Sequence, residues 1–70
     1  MDNKTLANEL QCIAQGQYYS EDVLYHALKH PVSTSNDCIM LRRHLLGSST
    51  ASDRMRLQDL SINILHFNKE

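Results

Sequence analysis

The sequence predicts an all-α fold, a small bundle of three to four short helices, and three observations carry that expectation. Apolar residues recur at three- and four-residue spacing in four separate stretches. Every stretch after the first is opened by Ser or Thr, and the first three are closed by Gly16, Pro31 and Gly47. The connections between them are short, as antiparallel helix neighbours require. Seventy residues make a single helical domain, 1–70, with no internal repeat or low-complexity tract.

The first helix is expected over about 3–15, with Leu6, Leu10 and Ile13 on one face and Gly16 placed to cap its end. Ser20 reads as the N-cap of a second helix, about 21–30. Glu21 and Asp22 lie in its first turn, where the helix dipole favours negative charge. Tyr19 and Leu24 stand at the two positions of a hydrophobic staple. This helix offers Val23, Leu24, Ala27 and Leu28 to a core and must stop before Pro31.

Thr34 with Asp37 three residues on is a capping-box pattern, opening a third helix over about 35–46 with Gly47 behind it. Thr50 with Asp53 repeats the pattern and opens the fourth, about 51–67. Leu60 to Ile64 alternates and contains two isoleucines, which also suits a strand. A lone strand has no partner here, and the cap upstream favours helix.

The fourth helix carries more apolar surface than a lone small bundle needs. Leu57, Leu60, Ile64 and Phe67 fall in a narrow arc at the rhythm of a helix seam. Met55, Ile62 and Leu65 lie on a different side. A helix at the edge of a bundle buries one stripe, so two stripes predict one for the core and one for a second copy. A homodimer is therefore expected, its contact residues drawn from these seven. On the third helix, Arg42 is flanked by Cys38, Leu41 and Leu45 on one side and by Ile39 and Leu46 on the other. An arginine inside an apolar arc must either snorkel to water or meet a carboxylate. Asp59 is the expected partner, in an interface ion pair, with Glu9 and Asp22 as the other carboxylates available.

Charge is unevenly distributed although the net is −1. The segment 1–38 holds Lys4 and Lys29 against five carboxylates, whereas 39–56 holds Arg42, Arg43, Arg54 and Arg56 against Asp53 alone. That asymmetry suits self-association or a charged partner. The four arginines flank the turn at Gly47 and form a candidate nucleic-acid patch. Laying a helix-turn-helix over that turn puts Arg42, Arg43 and Arg56 where core positions belong, a poor fit. A nucleic-acid-binding transcriptional regulator is thus the alternative to a protein-binding module.

Catalytic chemistry finds little to stand on. With only two glycines, both at helix ends, no phosphate cradle can be built. Cys12 and Cys38 sit near apolar stripes, where cysteine behaves as a small hydrophobe. His26 and His30 share one helix face at a metal-binding spacing, but no glutamate of the His-Glu-x-x-His type and no Cys-x-x-Cys accompanies them. No enzyme activity, cofactor or metal is expected. Two cysteines without a secretory leader predict free thiols in the cytoplasm, and no apolar run suffices for a membrane span.

The segments Tyr18-Tyr19-Ser20-Glu21-Asp22-Val23-Leu24, Leu41-Arg42-Arg43-His44-Leu45-Leu46-Gly47 and Asp53-Arg54-Met55-Arg56-Leu57-Gln58-Asp59-Leu60 together resemble the small helical accessory proteins of temperate phages and prophages. The resemblance is one of size, style and helix order across most of the chain. It implies a small regulatory protein that binds a host or phage protein, often as a homo-oligomer. It carries over no functional residue.

Overall fold

The computed structural model describes residues 1–67, and four helices account for most of them: α1 Asn3–Ala14, α2 Glu21–Leu28, α3 Ser35–Leu45 and α4 Ala51–Leu65. Each ends one or two residues before the bound expected from the sequence, because the last residues turn into the caps. The alternating 60–64 stretch is helical, and there is no strand among the described residues.

All four starts are capped by side chains. The Asp2 carboxylate accepts the Thr5 amide at 2.7 Å, and the Ser20 hydroxyl accepts that of Val23 at 3.4 Å. Both capping boxes close in both directions. Asp37 N–H donates to Thr34 Oγ1 at 3.2 Å while Thr34 N–H donates to Asp37 Oδ2 at 3.0 Å. The Thr50–Asp53 box closes at 3.1 and 3.2 Å in the same way. Each satisfies amides that a helix start leaves without partners.

The C-terminal ends of α1 and α3 are paired turns of one kind. Ser48 N–H reaches back to Arg43 O at 2.9 Å and Gly47 N–H to His44 O at 3.2 Å, while Gln17 and Gly16 do the same to Cys12 and Ile13. This closure needs a left-handed residue, and Gly16 (φ +73°) and Gly47 (φ +76°) supply it without a side-chain penalty.

The helices form a ring in which α4 packs most extensively on α1, then on α3, while α2 bridges α1 and α3 from the far side. Leu10, Leu24, Met40, Leu41, Leu57, Leu60 and Ile64 fill the centre. A polar latch joins α1 to α4: Gln11 Nε2 donates to the buried Ser61 hydroxyl at 2.8 Å, and that hydroxyl donates to Gln58 O at 2.6 Å. No helix among the described residues is long and apolar enough to cross a membrane.

One expectation is corrected on α3. Its buried face centres on Met40 and Leu41, flanked by Asp37 and His44, and Arg42 lies outside, exposed. Side-chain polarity misplaces this face. Asp37 is folded into its cap and His44 is packed inside, so two polar residues occupy inward positions. Ile39 and Leu46 are left outside.

Candidate functional site

The two apolar stripes of α4 have opposite surroundings. Leu57, Leu60 and Ile64 are in the core, and Phe67 packs its ring edge against His30 with centroids 5.2 Å apart. Met55, Ile62 and Leu65 stand 69%, 47% and 46% exposed. Of the seven residues expected to share core and interface, Leu57, Leu60 and Ile64 are therefore enclosed, Phe67 is half-buried, and three face outward. At 3.6 residues per turn Met55 and Ile62 project within about 20° of each other, and Leu65 lies beside them toward α1.

A second apolar group lies on α2 and α3. Leu46 is 81% exposed and Ile39 49% exposed, seven residues apart on the outer side of α3. Tyr25, Leu28, Leu45 and Leu46 line a shallow slot between α2 and α3, with Arg42 in its wall.

The four arginines border three hollows of the surface. Arg42 borders the α2/α3 slot, Arg43 and Arg56 the α3/α4 hollow, and Arg54 the bundle end near Gly16 and Gly47. Arg43 is also committed. Its Nε and Nη2 donate to the two carboxylate oxygens of Asp53, each at 2.7 Å. The Asp53 side chain is 5% exposed and serves its helix cap at the same time. Those donors, Arg43 foremost, hold its carboxyl down at about 2.

The expected pairing of Arg42 with Asp59 is not made within the chain, since Arg42 lies in the α2/α3 slot and Asp59 in the α3/α4 hollow. Among the described residues, the ion pair that forms is Arg43–Asp53. The sequence does carry a signal for it. A capping-box aspartate has a free carboxylate edge, and Arg43 is one turn from the C-terminal end of the preceding helix, across a tight turn.

Two histidines take specific places that their spacing did not reveal. At one end of the bundle His30 Nδ1 accepts the Val32 amide at 3.2 Å, which leaves the proton on Nε2, 3.0 Å from Asn3 Oδ1. Asn3 Nδ2 in turn reaches Phe67 O at 3.4 Å, so the start of α1, the end of α2 and the end of α4 are tied together. At the other end His44 is buried, with an Nε2 that has no hydrogen-bond partner among the described residues. Burial lowers the pKa of both imidazoles. His26 remains exposed while His30 is engaged with Asn3, so the pair does not converge as ligands. Among the described residues, no three His, Cys, Asp or Glu side chains assemble around a common point. Cys12 and Cys38 are free and half-buried.

No protein-family model, no curated protein and no solved structure matches this chain. What distinguishes the molecule is its own surface, above all the outer side of α4.

Proposed function

We propose that this chain is a small, non-enzymatic regulatory module that works through protein–protein contacts as a homo-oligomer, with the outer face of α4 as its contact surface. The observation that carries this is the exposure of Met55, Ile62 and Leu65 together on a helix whose Leu57, Leu60 and Ile64 are enclosed on the opposite side. Large apolar side chains grouped on one exposed helix side mark an interaction site more often than singly scattered ones do. Small scaffolds also commonly gain stability by association. The nucleic-acid reading is less well supported. Its four arginines face three separate hollows, and one of them is neutralised by Asp53.

Sedimentation velocity on the parent and on Ile62→Asp, at roughly tens of micromolar, tests the proposal. The parent should sediment as an oligomer and Ile62→Asp as a folded monomer. A parent that is monomeric at this concentration contradicts it. Duplex-DNA binding that falls steeply with salt, and weakens in Arg43→Gln/Arg54→Gln, would favour the alternative instead.

A further inference from the structure

We infer that the second copy packs on α4 antiparallel, helix against helix, about a two-fold axis that passes between Gln58 and Asp59. This rests on the reading of the outer face of α4 as a self-association surface, and it specifies the partner and its direction.

The central apolar pair of the outer face reads nearly the same from either end, while Leu65 has Ser52 as its counterpart. Met55 lies as far before the Gln58–Asp59 midpoint as Ile62 lies beyond it. Ala51 mirrors His66, the neighbour of Leu65. An isologous contact requires that residue i meet residue j twice. An antiparallel pair therefore sets Met55 of each copy against Ile62 of the other, and the small Ala51 beside the bulky Leu65. All three exposed apolar side chains of α4 are covered at once.

Charge points the same way. Arg56 and Asp59 are exposed, line the α3/α4 hollow, and therefore share the α3-facing flank of this surface. Among the described residues neither is in an ion pair within its own chain. A two-fold axis perpendicular to the helices keeps that flank beside the same flank of the second copy. Arg56 of each copy then faces Asp59 of the other, and the attraction is made twice. A parallel pair would instead set that flank beside the opposite flank of the second copy, so that Asp59 meets the Gln58 side and the Arg56–Asp59 attraction is not made.

Single-cysteine cross-linking of the full chain, in a Cys12→Ser/Cys38→Ser background, reads the direction. Gln58→Cys should link to itself on mild oxidation. Met55→Cys and Ile62→Cys should each fail to link alone and should link when mixed. Charge reversal gives an independent readout by sedimentation. Asp59→Arg should weaken association about tenfold, and Arg56→Asp/Asp59→Arg should recover it. Self-linking of Met55→Cys and Ile62→Cys with no linking of Gln58→Cys overturns the antiparallel arrangement while leaving self-association intact. So does a double reversal that stays as weak as the single. A monomeric parent overturns the self-association reading itself.

Discussion

Ile62 and Ile64 are the same residue type two positions apart on one helix, and replacing each with alanine should have opposite consequences. Ile64 is fully enclosed, in a core with Leu57 and Leu60. Its truncation gives up the transfer energy of the removed carbons and leaves a cavity, together about 2–5 kcal/mol. A chain of this length is expected to be stable by only about 4–10 kcal/mol. A loss near 3 kcal/mol should therefore lower the melting temperature by about 12–24 °C. Ile62 is about half exposed, so in the monomer Ile62→Ala should cost under about 1 kcal/mol. Its effect should be on association instead. Urea unfolding, followed by circular dichroism at a protein concentration low enough to dissociate the oligomer, separates the two, because association otherwise adds to apparent stability. Equal losses of stability for both variants would refute the division of α4 into an inner and an outer stripe.

Other outcomes follow from the polar interior. Both His30 and His44 have imidazole pKa values lowered by burial, so the folded state favours their neutral forms. Between the lowered folded value and the ordinary value near 6.5 the unfolded chain binds more protons. Stability should accordingly be full above about pH 6.5 and decline as the pH falls below it, as unfolding series at several pH values will read; His30→Gln/His44→Gln should flatten the slope. Asp53 behaves likewise at lower pH, its contribution being complete above about 4 and lost as the pH falls toward its folded value of about 2. Asp53→Asn removes the bidentate acceptor of Arg43 and half of the α4 cap, and should destabilise the fold clearly more than Asp59→Asn in parallel melts. Gly47→Ala meets no atom within 4 Å but must hold φ +76°, so it should cost about 1–2 kcal/mol by denaturant titration.

The helices were legible in the sequence because their signals are local. Ser20, Thr34, Thr50, Gly16 and Gly47 each act within a few residues of themselves, and each is used in the structure as its type and position imply. The two stripes of α4 were legible for the same reason, since periodicity alone separates Leu57, Leu60 and Ile64 from Met55, Ile62 and Leu65. The inner face of α3 was not. The turn of Asp37 onto its cap is a local signal, but placing the face also requires knowing that His44 is packed inside, which depends on contacts outside the immediate pattern. Arg43 was passed over in favour of Arg42 because choosing the paired arginine means knowing how α3 is rotated against α4. The clasp of Asn3, His30 and Phe67 joins positions far apart in the chain, and no spacing rule connects them.

The central claim is that the outer face of α4 holds a second copy of this chain. Sedimentation equilibrium of the parent over a concentration series tests it most directly. The mass should rise toward twice the chain's 8.0 kDa and level there, in keeping with a closed two-fold contact. A mass that stays at 8.0 kDa throughout, or one that climbs past twice that value without levelling, contradicts it.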